Sequence, residues 1–279
     1  MPFGAIVNPF GRLLSRWENW SGEDSIADRS LMSLAGEKST YEADGFLHLP
    51  GLFASDQLAE IEDHLTTYFE TVVPTLPQGD LVLEPTRDGA FKQIRNLWRM
   101  EQHSEFFANL ARTPELWKRM EILLNGEPIV SAVELFAKPA RVGSKVPYHQ
   151  DNAYFNLVPP DSLTCWIALD DSTLENGCVH YLRGSHAPGL RPHVASGVQG
   201  NSQMLADSSA ASQFEDVPAI LPRGDAVLHH CCLWHRSEPN LSDRPRRGLL
   251  IVYRAAHCHV DPESARTYSE TLRELMGNR

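Results

Sequence analysis

Residues 148–186 read YHQDNAYFNLVPPDSLTCWIALDDSTLENGCVHYLRGSH, a stretch in which short apolar runs alternate with turn residues. Pro159-Pro160 precedes the run TCWIALDD, and Asn176-Gly177 separates that run from CVHYLRG. Short apolar runs bounded by Pro, Gly and Asn are typical of strands in a β-rich domain. The stretch therefore predicts consecutive strands joined by turns.

Similar short apolar runs occur on both sides of this stretch: IVSAVELFA (129–137), DAVLHHCCLWH (225–235) and GLLIVYRAA (248–256). Phe46–Leu49 predicts one more strand, near the start of the chain. Helical spacing of apolar residues after Ser55-Asp56, the pair Thr113-Pro114, and the segment from Pro262 to about Met276 predict three helices. Helices first and many strands afterwards indicate an α+β chain whose C-terminal half is a β-sandwich or jelly roll.

The chain shows no linker between two apolar-periodic blocks, so we predict one domain over residues 41–279, with residues 1–40 as an extension packed on it. The segment 194–216 is rich in Ser, Ala, Gly and Gln. We interpret it as a long loop, and as a candidate lid if it lies beside a site.

Composition excludes several classes of partner. The net charge of −11 argues against nucleic acid, and no apolar run is long enough to cross a membrane. The N-terminus lacks the pattern of a signal peptide, and an odd count of five cysteines suits no disulfide framework. We therefore expect a cytoplasmic protein with a small-molecule substrate. A homo-oligomer is compatible with this composition.

A metal site is suggested by Tyr148-His149-Gln150-Asp151, which lies in a strand-like run. Because side chains alternate along a strand, His149 and Asp151 would share one face. A second histidine from another strand, best supplied by His235, would complete two histidines and one carboxylate. This set binds iron(II) on one face and leaves the opposite positions open.

Zinc is the alternative for the stretch that contains His229, His230, Cys231 and Cys232. Adjacent cysteines are poorly spaced for tetrahedral zinc, which favours pairs separated by two to four residues. We expect His149, Asp151 and His235 to be the metal ligands.

Two blocks give the chain a resemblance to the phytanoyl-CoA dioxygenase family. Residues 149–186 resemble its H-x-D strand with the W-x-A-L-x-D, N-G-C and G-S-H continuation, and residues 224–249 resemble its G-D, H-x-S-x-x-N-x-S and Arg block. YEADGFLHLPGLF, residues 41–53, is similar to the family's opening segment. The resemblance implies a double-stranded β-helix core flanked by helices, and an oxygenase that uses iron(II), 2-oxoglutarate and O₂.

The resemblance also implies residues for the co-substrate. Arg246 would pair with the distal carboxylate of 2-oxoglutarate, assisted by Ser237, while Trp166 would line the pocket. A further contact comes from Gln93 or its neighbour Lys92. Arg247, which follows Arg246, would face solvent.

The substrate pocket is less defined by the sequence. We expect Glu134, Lys138 and Tyr154 to line it, although Lys138 could equally be a surface lysine. The carboxylate of Asp151 favours hydroxylation over halogenation, because related halogenases carry a small residue there. Two other readings stay open: a cupin-like metal-dependent isomerase or hydrolase without 2-oxoglutarate, and a non-catalytic binding protein of the same fold.

Overall fold

A computed structural model describes residues 34–85, 89 and 92–277 of the chain. Most of the predicted N-terminal extension, residues 1–33, lies outside this range. The helices are α1 (Leu34–Asp44), α2 (Ser55–Thr71), α3 (Met100–His103), α4 (Glu105–Leu110), α5 (Pro114–Leu123), α6 (Asn152–Phe155) and α7 (Pro262–Gly277), with 3₁₀ turns at Val73–Thr75 and Ser209–Gln213. No helix in the described part is both long and apolar enough to cross a bilayer.

The strands form two larger antiparallel sheets and two sheets of two strands each, β9 with β10 and β6 with β15. They are β1 (Phe46–Leu49), β2 (Leu81–Pro85), β3 (Lys92–Leu97), β4 (Pro128–Lys138), β5 (Val146–His149), β6 (Leu157–Val158), β7 (Ser162–Ala168), β8 (Val179–Leu182), β9 (His193–Val198), β10 (Asn201–Leu205), β11 (Asp216–Pro218), β12 (Ala226–His230), β13 (His235–Ser237), β14 (Arg246–Ala255) and β15 (His259–Val260).

The large sheet has the order β1-β12-β7-β14-β4-β3-β2, and the small sheet has the order β11-β8-β13-β5. Consecutive strands repeatedly change sheet, as β12 and β13 do, so the two sheets close into a double-stranded β-helix. The predicted α+β class and jelly-roll core are confirmed.

Alternation along β14 separates two apolar cores. Leu249, Ile251 and Tyr253 pack in the outer core between the large sheet and the helices, which include the predicted helices α2 and α5. Leu250 packs in the inner core between the two sheets, together with Trp166. Period-two alternation gives each strand of the large sheet one face toward the helices and one face toward the barrel interior.

The expectation that Arg247 faces solvent is wrong. Its guanidinium is half-buried on the outer face of the large sheet, where it binds the carboxylates of Asp170 and Glu62 at 2.7–2.9 Å. Glu62 lies on α2, so Arg247 links that helix to the sheet.

Segment 194–216 is not the predicted long loop. It contains the hairpin of β9 and β10, with Gly197 near the end of β9 and Gly200 in the turn, both at positive φ, and then the 3₁₀ turn Ser209–Gln213. Most residues of β9 and alternate residues of β10 are only partly buried, so these strands carry polar residues and lack an apolar signature.

The prediction of one continuous strand over 225–235 is also wrong. β12 ends at His230, the chain turns at Cys231-Cys232, and β13 begins at His235 in the opposite sheet. His229 and His235 therefore face each other across the barrel, with ring centroids 4.8 Å apart.

Candidate metal and co-substrate site

The two histidines of the predicted metal site lie opposite each other in the small sheet. His149 ends β5 and His235 begins β13, where the two residues are paired. Their Nδ1 atoms donate to the carbonyls of Pro147 and Leu233, at 3.0 and 2.9 Å. Each Nε2 therefore keeps its lone pair, as a metal-binding imidazole requires.

Asp151 lies near the two histidines, but it is not placed there by the strand alternation that was predicted. The strand stops at His149, and Asp151 adopts helical angles (φ −60, ψ −32) at the start of α6, so strand alternation does not place it. Its Oδ1 nevertheless lies 3.8 Å from Nε2 of His149 and 3.4 Å from Nε2 of His235. The structure thus brings the three predicted ligands together, with one donor atom of each within 4.8 Å of the others.

The second oxygen of Asp151 is held by groups that the sequence did not reveal. Oδ2 accepts hydrogen bonds from Thr164 Oγ1 at 2.9 Å and from His229 Nε2 at 3.1 Å. The Nδ1 of His229 in turn accepts from the hydroxyl of Tyr181 at 3.2 Å. With Oδ2 occupied, only Oδ1 is directed toward the two histidines, which favours binding through one oxygen.

The three ligand side chains have different pKa shifts. Burial lowers the pKa of His149 to about 3, and the nearby charge of His235 lowers it further. Burial alone would raise the pKa of Asp151, but His235 and the hydrogen bond from His229 outweigh it and keep that pKa well below its usual value. Burial likewise would lower the pKa of His235, and Asp151 raises it overall.

The cluster of His230, Cys231 and Cys232 is the other candidate that the sequence raised. Its donor atoms also lie within 4.8 Å of one another. However, His230 Nδ1 accepts from the backbone N–H of Cys232 at 2.9 Å, and the thiol of Cys231 donates to Pro160 O at 3.0 Å. These atoms already have partners, which distinguishes them from the Nε2 atoms of the His-Asp-His group.

The inner face of the large sheet forms ordered rows of side chains across its strands. The row at the level of Asp151 contains Ala132, Val252, Thr164 and His229, and the next contains Glu134, Leu250, Trp166 and Val227. The two rows beyond contain Phe136, Gly248 and Ala168, and then Lys138 with Arg246. These rows lead from the level of the three ligands to that of Arg246.

Arg246, in the last of these rows, carries a guanidinium with unused donors. The residue is buried, and within the described part of the chain its Nε and Nη1 have no hydrogen-bond partner. Its guanidinium carbon lies 5.3 Å from the ring centroid of Trp166. Gly248 makes room, because a Cβ there would overlap that indole. Burial lowers the pKa of Arg246 to about 10, so it remains charged at neutral pH.

Arg95 is a second buried guanidinium that the sequence analysis missed. The register of the ladder between β2 and β3 shifts here, so Arg95 is an extra residue of β3 without a paired residue on β2. Its Nη1 donates to Glu84 at 3.1 Å, and its Nε has no partner in the described part. Its charge helps to lower the pKa of Arg246, so the two lie near each other.

The other predicted co-substrate residues lie in different settings. Ser237 is buried on β13, on the same face of that strand as His235. Gln93 is exposed, as is Lys92, and the buried polar residues of β3 are Arg95 and Asn96 instead. The roles of Ser237 and Gln93 remain predictions.

The three predicted pocket residues differ in their contacts. Lys138 is buried, not on the surface, and its Nζ donates to the carbonyls of Ser144 and Glu238, at 2.5 and 2.7 Å. The Tyr154 ring stands edge-on to His149 at 5.9 Å between ring centroids. Glu134 is half-buried on the inner face, and burial, followed by the charge of Asp151, raises its pKa to about 8.

Comparisons with known proteins agree with this architecture. The profile of the phytanoyl-CoA dioxygenase (PhyH) family matches residues 41–248. The chain is 30% identical over 208 residues to phytanoyl-CoA dioxygenase domain-containing protein 1 of Bos taurus, covering 71% of this chain and 68% of that protein. It is 24% identical to the peroxisomal phytanoyl-CoA dioxygenase of Homo sapiens, covering 90% and 76% of the two chains.

Solved structures of the same fold include two with bound co-substrate. One is the epimerase SnoN in complex with Fe3+, alpha ketoglutarate and nogalamycin RO, with 22% identity, coverage of 84% and 88%, and a TM-score of 0.68. The other is EctD from S. alaskensis with 2-oxoglutarate and 5-hydroxyectoine, with 19% identity, coverage of 87% and 80%, and a TM-score of 0.67. The profile match, the relative at 30% identity and the fold agree: the chain belongs to the phytanoyl-CoA dioxygenase family.

Proposed function

We propose that this protein is an iron(II)- and 2-oxoglutarate-dependent oxygenase that hydroxylates a C–H bond of a small molecule, with decarboxylation of 2-oxoglutarate to succinate. The observation that carries the proposal is the pairing of two features on the inner side of the large sheet. The three ligand side chains converge at one end, and the buried Arg246 has two unpaired donors toward the other end. A buried donor without a partner costs about 1–3 kcal/mol, which a bound carboxylate would recover.

The residues fit both groups that the family implies. Two imidazoles, which bind a metal ion after losing any extra proton, and an ionised carboxylate on one side suit iron(II) and leave room for other ligands. When bound, iron(II) with 2-oxoglutarate and O₂ supplies the oxidising chemistry. Arg246 would hold the distal carboxylate through its planar fork, with Ser237 beside it and Trp166 along the chain of the co-substrate. The apolar inner core around Trp166 would keep water out.

Relatives of this fold perform different oxidative reactions. SnoN is described as a non-heme alpha ketoglutarate dependent epimerase and SnoK as a carbocyclase. Hydroxylation is therefore the finer part of the proposal. The two other readings, a cupin-like enzyme without 2-oxoglutarate and a non-catalytic binding protein, leave Arg246 without a ligand.

We also propose that the hairpin of β9 and β10 acts as the lid that the sequence analysis placed in this region. Its strand β10 hydrogen-bonds the hydroxyl of Tyr154, which stands beside His149. Slower hydrogen exchange at Asn201–Leu205 after addition of iron(II) and 2-oxoglutarate supports closure. An unchanged exchange rate there contradicts it.

The test of the function is an anaerobic titration of the metal-free protein with iron(II) and 2-oxoglutarate, followed through the visible metal-to-ligand charge-transfer band. We expect the band in the unaltered protein, no band in Asp151→Ala, and a weaker or shifted band in Arg246→Ala. A folded protein that binds iron but gives no band contradicts the oxygenase and favours the cupin-like enzyme.

A further inference from the structure

The turn between β12 and β13 contains two adjacent cysteines that the metal site does not use. Cys231 and Cys232 are both free thiols, and both are buried. Their sulfur atoms and one ring nitrogen of His230 lie within 4.8 Å of one another. The Nδ1 of His230 accepts from the backbone N–H of Cys232 at 2.9 Å and lies 4.0 Å from the Sγ of Cys231. One turn therefore gathers two thiols and an imidazole.

The two thiols differ in how readily they lose a proton. A hydrogen bond from the Cys231 thiol lowers the pKa of Cys232 below its usual value; burial opposes this shift, and the imidazole of His230 adds to it. Burial raises the pKa of Cys231 well above its usual value, and Cys232 raises it further. Because the thiolate is the reactive form of cysteine, Cys232 is the nucleophile of the pair and Cys231 keeps its proton.

A cavity brings small molecules close to this turn. It lies between α1, the end of α5 and the end of β12, and its lining includes His230. Its volume of about 180 Å³ holds several molecules of the size of water. Glu42 and Asn125, which also line it, are exposed, so the cavity opens to solvent. Since His230 also contacts Cys231, a water-sized oxidant in this cavity is one side chain away from the thiols, and a local opening of the turn admits it.

The backbone of the pair is bonded to the segment that carries Asp151. The N–H of Asn152 donates to the carbonyl of the first cysteine at 2.8 Å, and the side-chain amide of Gln150 donates to the carbonyl of the second at 2.6 Å. These two donors flank Asp151 in the chain. In the other direction, the turn leads directly into His235 at the start of β13. A change in the turn therefore reaches two of the three metal ligands.

A disulfide between adjacent cysteines would impose such a change. The Cα atoms of neighbouring residues are about 3.8 Å apart across a trans peptide. Ordinary disulfides join Cα atoms that are roughly 4.4–6.8 Å apart, and departures from this geometry store strain and make the bond easier to reduce. The bond between Cys231 and Cys232 therefore requires the turn to change its backbone angles, and it is readily reversed by a thiol reductant.

We propose that Cys231 and Cys232 form a reversible oxidation site for hydrogen peroxide, in which a disulfide between the two residues distorts the turn and weakens iron(II) binding. The oxidation site stands on the thiols alone, whereas the effect on iron rests on the proposed function. The thiols pack as small apolar side chains as long as they are reduced.

The reaction balances without another reagent. The Cys232 thiolate attacks one oxygen of the peroxide and the O–O bond breaks, which gives a sulfenic acid and a hydroxide that takes up a proton to become water. The Cys231 sulfur then attacks the Cys232 sulfur, the S–S bond forms and the S–O bond breaks. The departing hydroxide takes the Cys231 proton and leaves as a second water. Two thiols lose two electrons, and hydrogen peroxide gains them.

The experiment treats the full metal-free chain with hydrogen peroxide, removes the excess with catalase, and counts the free thiols after denaturation. Of the five cysteines in the chain, we expect two to be lost, with a mass lower by two hydrogen atoms and no added oxygen. Peptide mapping should place the bridge at residues 231–232, and dithiothreitol should restore both thiols.

Variants assign the reaction to the pair. Cys232→Ser should form no bridge. The matched control is Cys165→Ala, which removes a buried thiol from β7 and should still lose the same two thiols. Recovery of the unaltered protein with dithiothreitol gives an independent comparison that needs no substitution.

The consequence is measured by anaerobic equilibrium dialysis with iron(II). The oxidised protein should bind iron(II) about tenfold more weakly or worse, the range for loss of groups that support a ligand, and dithiothreitol should restore the affinity. The affinity of Cys232→Ser should be the same before and after peroxide.

The outcomes separate this inference from the proposed function. No loss of thiols, a bridge that uses another cysteine, or added oxygen without a bridge would contradict the oxidation site. A bridge at residues 231–232 with unchanged iron(II) affinity would contradict its effect on the metal. If the reduced protein binds no iron(II), the proposed function fails, and the thiol count still decides whether the oxidation site exists.

Discussion

Arg246 and Arg247 are neighbours on β14, but they lie on opposite faces of the sheet and differ in their hydrogen bonding. On the outer face, Arg247 has four contacts of 2.7–2.9 Å with Asp170 and Glu62. On the inner face, Arg246 is buried with two donor atoms unpaired. A satisfied guanidinium holds the helix layer on the sheet, whereas an unsatisfied one is available for a ligand.

The acidic residues repeat this contrast. Glu62 and Asp170 are both paired on the outer side, while Glu134 on the inner side has no partner in the described part of the chain. Asp151 is intermediate, because one of its oxygens is held by Thr164 and His229 and the other faces the two histidines. Unused polar atoms thus distinguish the inner face of the sheet from the outer one.

The largest effect is expected at the metal ligands. Asp151→Ala removes the carboxylate from the group of His149, Asp151 and His235 and should weaken iron(II) affinity by more than about 100-fold, the upper range for loss of a residue that merely supports a ligand. Anaerobic equilibrium dialysis with iron(II) measures this. Unchanged affinity would mean that the inner face holds no metal at this position.

A smaller loss is expected from the residue that supports Asp151. His229→Leu removes the donor to Oδ2 and should weaken iron(II) affinity about 10- to 100-fold. The control is His230→Leu, the next residue on β12, which points to the other side of the sheet and should leave iron affinity unchanged. Equal losses in both variants would show that the effect is general destabilisation.

On the outer face, the expected loss is one of stability. Arg247→Leu removes the guanidinium from the partly buried Asp170 and leaves Glu62 with only the longer contact to Arg223, at 3.4 Å, so it should reduce the free energy of unfolding by about 1–2 kcal/mol. Urea denaturation measures this change, and adding Glu62→Leu should recover part of it. A reduced affinity for 2-oxoglutarate at unchanged stability would overturn the assignment of Arg247 to structure.

The smallest effect is a pH dependence that separates the two faces. Burial raises the pKa of Glu134 to about 8 in the folded protein, from an ordinary value of 4.5. The folded state then binds the proton more tightly than the unfolded state, so stability is full below about pH 4.5 and falls as the pH rises through about 8. Urea denaturation of the metal-free protein at pH 5 and pH 8 should show this fall, and Glu134→Gln should remove it. Glu62→Gln, on the outer face, should leave it in place.

The sequence predicted the groups that local patterns report. His149, Asp151 and His235 are the right residue types near turns and strand ends, and the spacing to Arg246 follows from the family resemblance. The helices α2 and α5 and the strand β14 were predicted because their apolar spacing is strong. These features need only a few neighbouring residues to be recognised.

The features that were missed depend on contacts between distant parts of the chain. His229 supports Asp151 only because β12 pairs with β7 and brings Thr164 beside it. Arg95 is turned inward by a shift in register, which no local pattern reports. The hairpin of β9 and β10 was interpreted as a loop because its exposed face needs no apolar residues.

The measurement that tests the central claim most directly is the affinity for 2-oxoglutarate of two single variants, Arg246→Lys and Arg247→Lys, by anaerobic calorimetry with iron(II) present. Lysine keeps the charge but cannot form the paired hydrogen bonds of a guanidinium. We predict that Arg246→Lys loses at least tenfold in affinity and that Arg247→Lys stays within about twofold of the unaltered protein, since a tenfold change corresponds to about 1.4 kcal/mol. Equal affinities in the two variants, or a loss confined to Arg247→Lys, would contradict the assignment of the inner face to the co-substrate.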